Sequence, residues 1–501
     1  MSKESLFYRY SLLGVLLLGA FLFVFRLDPN LTDIDSWRQT ETATMARNFL
    51  QHPNLLFPRI AWGAPGPGIV ESEFALYPWL VHWIYRLLGE NPLYGRLLSA
   101  AFMLLALVNF ARFFERILPE RTARFATLLL VTMPLFVRMG RAFMPEATAM
   151  LFFSLALRMV TDGLKDERRG RFLAGGVFLL LAALVKPTSL VLGLVVAILV
   201  VQRWGFKGLF RWEVLGFGLV VLGPLAAFLA HAARLHAEYG NTFGVLSGGD
   251  SKWGDWGMWS SYKFWGRLVK IEAKWVLGFA GLVLGTLGLW KPLRTTPRRI
   301  LSVGAGVMLL YLALVGRYSS YDGRGSHYHL WVTPFAAAAI AWGASILWRQ
   351  PKRWLQLGGT LLLLLVFAQN LWGTAKLFDP GHPDHVLRLA GLAAEKATQA
   401  GENIVVLSFD PQWDIDSRGK PVANNFEMPN IFFHAHRNGR VLPRDGQSPE
   451  ILKETMKRAG ARVFINIPAW NDVAAPGFRS YLRSKMKLLV QGKGFELWVV
   501  K

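Results

Sequence analysis

The chain has 501 residues, of which 53% are apolar and only 18% charged, with 20 Trp, 35 Phe, no Cys and a formal charge of +23. Apolar sequence in such quantity, laid out in long near-neutral runs, exceeds what one soluble core needs; it points to a polytopic helical membrane protein and excludes a disordered chain, a coiled coil and collagen. The missing cysteines exclude disulfides, thiolate catalysis and Cys-ligated zinc or iron–sulfur centres, and a charge that would signal nucleic acid in a soluble chain here marks the cytoplasmic membrane face, so no nucleic-acid partner is expected.

Lys3 and Arg9 precede an apolar run that ends at Phe25, and Arg26-Leu27-Asp28-Pro29 follows in place of a small-residue cleavage site, so the run is read as an uncleaved first transmembrane helix. Further apolar stretches lie near 92–111, 124–139, 145–161, 172–186, 187–202, 213–233, 273–290, 300–316, 328–348 and 354–373, which makes about 11 spans. The segment Phe74–Gly89 is also apolar, but Pro78, His82 and Arg86 interrupt it. Leaving it out places the connections at 112–124, 158–171, 203–211, 291–299 and 349–353, together with the N-terminal tail, on one side, where they hold 21 Lys and Arg. Counting it as a span would move most of these charges outside, against the positive-inside tendency, so an amphipathic helix on the outer surface is expected there.

The expected fold class is therefore mainly α, a polytopic transmembrane helical bundle over 1–378. Its long first external loop, about 27–91, carries interfacial helices and seven acids against four arginines. Residues 379–501 then form a small external α/β domain, with a helix over 384–400, a strand over 403–409, a helix over 449–459, a strand over 462–467, and a basic helix and strand ending at Lys501. This domain and the first loop are expected on the outer side of the membrane.

Directly after the first span, Thr32-Asp33-Ile34-Asp35-Ser36-Trp37-Arg38-Gln39-Thr40-Glu41-Thr42-Ala43 crowds acids and an arginine at the outer surface. The plain reading is a helix cap at Asp35-Ser36; the chemical one is a carboxylate base beside an arginine that grips phosphate. Glu71 and Glu73 follow the turn Gly63-Ala64-Pro65-Gly66-Pro67-Gly68, and either line an acceptor or open a solvated helix. Arg141 and Glu146 flank Pro145 at the outer end of a span, where the carboxylate needs a cation beside it. Lys186 separates two apolar segments; it either snorkels or neutralises a lipid phosphate. The loop Arg317–His329 offers Arg324, His327 and Tyr328 for a phosphate or a sugar, and its His327-x-His329 pair lacks a third metal ligand nearby. The Trp-rich segment 253–265 reads chiefly as an interfacial anchor.

Asp-Ser-Trp-Arg-Gln-Thr-Glu-Thr-Ala-Thr-Met-Ala-Arg-Asn-Phe after the first span, Glu-Ser-Glu-Phe-Ala-Leu-Tyr-Pro at 71–78, Gly95-Arg96-Leu97-Leu98-Ser99, Arg141-Ala142-Phe143-Met144-Pro145-Glu146 and Leu184-Val185-Lys186-Pro187-Thr188 follow one another in order. Together they resemble the GT-C class of polytopic glycosyltransferases, in particular bacterial relatives of protein O-mannosyltransferases and lipid A aminoarabinose transferases. The resemblance covers residues 1 to about 230. It implies a polyprenyl-phosphate-linked sugar donor and a glycan, lipid or protein acceptor, both met at the membrane lipid surface on the periplasmic side of a bacterial-type inner membrane. It places the catalytic base at Asp35, with Asp33 the near alternative, and Glu146 as a second acid; Arg38, Glu71, Glu73, Arg141, Lys186, Arg324, His327 and Tyr328 are taken as substrate-binding residues from their chemistry and their place at the outer surface. A divalent metal near Asp35 and Glu146 is compatible with hard carboxylate ligands, and no other cofactor is expected. The rival reading, a transporter or flippase of a lipid-linked glycan, calls for ionisable groups at mid-membrane, whereas these gather at one surface.

Overall fold

A computed structural model describes residues 3–245, 252–290, 296–322, 325–379, 385–415 and 421–501. The chain divides into two compact units: residues 1–27, 96–228 and 252–379 form the first, and 28–95, 229–251 and 380–501 the second.

The first unit is helical. Among the described residues six helices are long and apolar enough to cross a membrane: Pro92–Ile117, Glu146–Asp166, Pro187–Trp204, Trp212–Tyr239, Ser326–Trp348 and Arg353–Phe378. Two bent pairs raise the number to eight, and Ser11–Val24 and Arg299–Leu314 are shorter apolar helices. Helices occupy all eleven apolar stretches read from the sequence, but length and composition support six to eight spans, and a count of eleven is not confirmed. The bends have local causes. Glu120–Thr132 and Pro134–Arg141 meet at 56° because Pro134 lacks the N–H that would continue the ladder. Tyr262–Leu277 and Phe279–Trp290 meet at 94° across Gly278, whose φ of 69° suits a residue without a Cβ, after a π-turn at Ala273–Leu277.

Small residues let these helices approach closely. A Cβ on Gly288 would lie 2.1 Å from the carbonyl oxygen of Ala339, and one on Gly343 would lie 1.9 Å from that of Leu284. Helices 279–290 and 333–348 thus pack backbone to backbone, as apolar helices do where lipid offers no hydrophobic driving force between them. Gly163 and Gly175 serve the same purpose between helices 146–166 and 169–185, where added Cβ atoms would stand 2.7 Å from Phe172 N and Val160 Cγ2.

The second unit holds a five-stranded sheet in the order β4-β1-β5-β7-β6, with β1 (Ile404–Leu407), β4 (Gly439–Leu442), β5 (Val463–Asn466), β6 (Met486–Gln491) and β7 (Glu496–Val500); a separate hairpin joins β2 (Trp413–Ile415) to β3 (Pro421–Ala423). β1 runs parallel to β4 and β5, while β7 is antiparallel to β5 and β6. Helices cover both faces, so β1 and β5 are apolar at successive positions, without the alternation of a half-exposed strand. Leu387, Ala390 and Ile431 pack on Ile404, Val406 and Ile465 on one face; Leu452, Met456 and Phe478 pack on Val405, Leu407 and Phe464 on the other. The first loop belongs to this unit. Gly439 N–H donates to Ala61 O at 2.9 Å and Ala64 N–H to Gly439 O at 3.1 Å, so residues 61–64 cover the outer edge of β4. Phe74–Gly89 contains a 13-residue helix, Leu76–Leu88, too short to span a bilayer, with Tyr77, Val81, His82 and Tyr85 buried and Leu87 and Leu88 exposed.

Candidate active site

The site residues read from the sequence fall in both units. In the second, helix Ser36–Asn48 starts at Asp35, which occupies the N-cap position with φ 69°, ψ 15°. This left-handed conformation is costly for most side chains and tolerable for Asp. The Asp35 carboxylate makes no capping bond to the helix; its backbone carbonyl accepts from Gln39 N–H at 2.9 Å. Asp33 is fixed differently, accepting from the Gln39 amide nitrogen at 2.8 Å. Upstream, Asp28 accepts from the backbone N–H groups of Asn30 and Thr32 and from the Thr32 hydroxyl. Burial works to raise its pKa, but these donors prevail and hold it below the usual value.

Arg38 Nη2 lies 2.6 Å from Glu73 Oε2, and its guanidinium stands over Phe243 at 5.0 Å. Glu71 is fully buried, accepts from the Thr242 hydroxyl, and exchanges backbone bonds with the 241–243 segment at 3.0 Å. Glu73 therefore sets the position of Arg38, while Glu71 anchors the loop.

Glu41, one turn beyond Arg38, belongs to the group with Asp33, Asp35 and Arg38 read from the sequence but is given no role of its own there. It is 1% exposed; Trp62 Nε1 donates to Oε2 at 2.9 Å, and no described group hydrogen-bonds to its buried Oε1. Burial lifts its pKa to about 7, against the lowering effects of the Trp62 bond and the Arg38 charge. Glu427 is lifted to about 8, first by burial and then by the carboxylates of Glu41 and Asp410. Its segment is tied to the Asp35 helix: Trp37 Nε1 donates to Glu427 O at 2.5 Å and the Asn430 amide to Ser36 Oγ at 2.6 Å. The signal available beforehand was the spacing of Glu41 from Arg38, three residues along one helix face.

In the first unit Glu146 opens helix 146–166 and is 1% exposed. The cation beside it is Lys186, Nζ to Oε1 at 2.8 Å, with Lys186 held in an extended conformation before Pro187 between two helices. Arg141, expected as its neighbour, donates to the carbonyls of Leu22, Phe25 and Arg26 at 3.0, 2.7 and 3.2 Å. It closes the C-terminal end of the first helix, where a cation meets the negative pole of the helix dipole. Tyr328 is buried, with the rings of His327 and Tyr318 at 4.5 and 5.4 Å; Arg324 lies outside the described residues. His329, set aside as a metal ligand, is fully buried with Nδ1 2.6 Å from Glu272 Oε1 and Nε2 2.7 Å from Ser319 O. Its partner Glu272 precedes the π-turn, so the contact fixes the 326–332 turn to that irregularity. Among the described residues no group of three or more His, Asp or Glu is arranged to hold a metal ion.

A family model for dolichyl-phosphate-mannose-protein mannosyltransferases matches residues 75–230. No curated protein sequence matches the chain. Among solved structures, ArnT from Cupriavidus metallidurans bound to undecaprenyl phosphate superimposes with a TM-score of 0.63 at 13% identity, covering 97% of each chain. The Archaeoglobus fulgidus oligosaccharyltransferase AglB, in complex with an inhibitory peptide and a dolichol-phosphate, gives 0.63 at 11% identity over 100% of this chain and 75% of that one. The mycobacterial arabinofuranosyltransferase AftD gives 0.55 at 13% identity, over 100% of this chain and 42% of its own. The chain has the fold of these membrane glycosyltransferases, as the motif resemblance implies.

Proposed function

We propose that this integral membrane protein transfers a sugar from a polyprenyl-phosphate-linked donor to an envelope acceptor, with the sites on the periplasmic side of a bacterial-type inner membrane. The observation that carries the reading is the chain-long likeness to ArnT, a structure holding undecaprenyl phosphate. In this reading Asp35 is the general base. What supports this role is the place of Asp35 at the start of helix Ser36–Asn48, in a left-handed backbone conformation of the kind that gathers at functional sites, one turn before Arg38. Asp35 takes a proton from the acceptor's hydroxyl or amine as that atom bonds to the anomeric carbon. The bond from that carbon to the carrier phosphate oxygen breaks, and polyprenyl phosphate leaves with the electron pair. A single displacement of this kind inverts the anomeric centre.

Lys186 supplies positive charge for the leaving phosphate, held by Glu146 at 2.8 Å until an anion arrives. Arg38, steadied by Glu73, offers a guanidinium in the unit that carries Asp35. His327 and Tyr328 take part in donor binding, with Arg141 securing the first helix. Asp33, which accepts from the Gln39 amide at 2.8 Å, is the alternative base.

The test is transfer from labelled polyprenyl-phosphate sugars to crude envelope acceptors by purified wild type and Asp35→Asn. Loss of at least roughly 100-fold in the variant is expected for removal of an acid–base group. Full transfer by Asp35→Asn would move the role to Asp33 or end the assignment.

A further inference from the structure

The second unit carries a polar cluster that this chemistry does not use. Helix His385–Ala397 meets helix Pro429–Ala435 at Gly391, where a Cβ would stand 2.7 Å from the Cβ of His434. His434 therefore lies against the turn of helix 385–397 that also presents Arg388, three residues before Gly391 on the same face. His434 is 8% exposed, and no described group hydrogen-bonds to its buried Nε2. Arg388, Arg47 and His436 all disfavour a proton on this ring, and Asp28 alone favours one; with burial as the largest cause, the pKa falls to about 3. His434 is thus a neutral imidazole in a region of positive potential.

The neighbouring charges are unequally matched. Arg47 pairs with Glu90 at 2.7 Å, donates to Phe433 O at 2.9 Å and lies over the Phe433 ring at 4.4 Å. His436 Nδ1 is 2.8 Å from Glu395 Oε1. Among the described residues Arg388 has no carboxylate in ion-pair contact, so the cluster contains a half-buried guanidinium and a buried imidazole nitrogen for which the described residues supply no hydrogen-bonding anion. A tetrahedral oxyanion matches both: one oxygen accepts from a His434 Nε2–H and another from the guanidinium of Arg388.

We propose that Arg388 and His434, with Arg47 and His436 behind them, form a binding site for a phosphate-class anion, and that the site holds an anionic group of the acceptor. The second clause rests on the transferase reading; the first does not. The test uses full-length protein in detergent, with calorimetric titration of inorganic phosphate at constant ionic strength and, separately, of a short-chain polyprenyl monophosphate. Saturable phosphate binding is expected in the wild type, weakened at least about tenfold in Arg388→Gln. His434→Asn should weaken it as well, whereas Lys487→Gln, an exposed lysine on β6, should leave it unchanged. Unaltered binding in both cluster variants would overturn the site, and His434→Asn decides if Arg388→Gln fails to fold. Undiminished polyprenyl monophosphate binding in Arg388→Gln supports the acceptor as the source of the anion. An equal loss would overturn that clause and assign the site to the carrier lipid. Phosphate binding by a wild type that transfers no sugar would sink the transferase reading and leave the anion site standing.

Discussion

Replacing Glu41 by Gln should stabilise the protein, and only above a definable pH. Glu41 lies in helix 36–48, outside the candidate spans, with Oε2 bonded to Trp62 and Oε1 buried without a described partner. Its pKa rises from 4.5 to about 7 on folding. The folded state therefore holds this proton more tightly than the unfolded state. Below about pH 4.5 the group is neutral in both states and has no pH-linked effect; from there to about pH 7 stability falls as pH rises, and beyond pH 7 the loss is complete. A shift from 4.5 to about 7 corresponds to roughly 3 kcal/mol. Glutamine keeps a carbonyl oxygen for the Trp62 indole and cannot ionise. Thermal unfolding of the two proteins in the same detergent should nearly coincide at pH 4.5 and separate by several degrees at pH 8.5, with Glu41→Gln the more stable. Hydrogen exchange of the helix 36–48 amides should show the same order. A variant no more stable than wild type at pH 8.5 would refute the claim that an ionised Glu41 is a net cost to the fold.

Other consequences are more direct. Glu146→Gln removes the negative charge 2.8 Å from Lys186 Nζ, so donor affinity should rise several-fold while turnover falls as product phosphate is retained; an unchanged donor KM in a well-folded variant would make the pair purely structural. Gly288→Leu places a side chain where a Cβ already meets Ala339 O at 2.1 Å; melting should drop by several degrees, and an unaltered melting temperature would contradict the backbone-to-backbone packing. In this Cys-free chain, Gln51→Cys and Lys493→Cys should react in intact cells with a maleimide that cannot cross the inner membrane, and Lys207→Cys only after permeabilisation. Reaction at 207 in intact cells would overturn the proposed orientation.

The helices of the first unit were legible because a spanning helix must carry a long apolar run whatever it packs against. The sharp bends were less so. Pro134 announces one, but Gly278 marks the other only once its positive φ and the preceding π-turn are seen. In the second unit β1, β5 and their helices follow the pattern of a covered sheet, and the sequence reading overlaps them. It passed over β4, Gly-Arg-Val-Leu, because a four-residue strand containing an arginine has no periodicity to detect; its pairing with β1 comes from residues 35 positions away. The site shows the same division. Asp35 at a helix start is visible from local residue types. That Lys186 meets Glu146 depends on two helices folding back on each other, and no local spacing encodes it.

Burial treats ionisable groups in two ways here. Glu146 and Lys186 are carried into the first unit together, so the cost of taking a charge out of water is offset by the opposite charge beside it. Glu41 and Glu427 are enclosed in the second unit with carboxylates among their neighbours, and holding the proton is the cheaper course. An acid enclosed in the second way changes charge within the physiological range. The pH response of this protein should therefore originate where the Asp35 helix meets the 424–430 segment, with Trp37 and Asn430 as the bonds that any ionisation of Glu41 and Glu427 must strain.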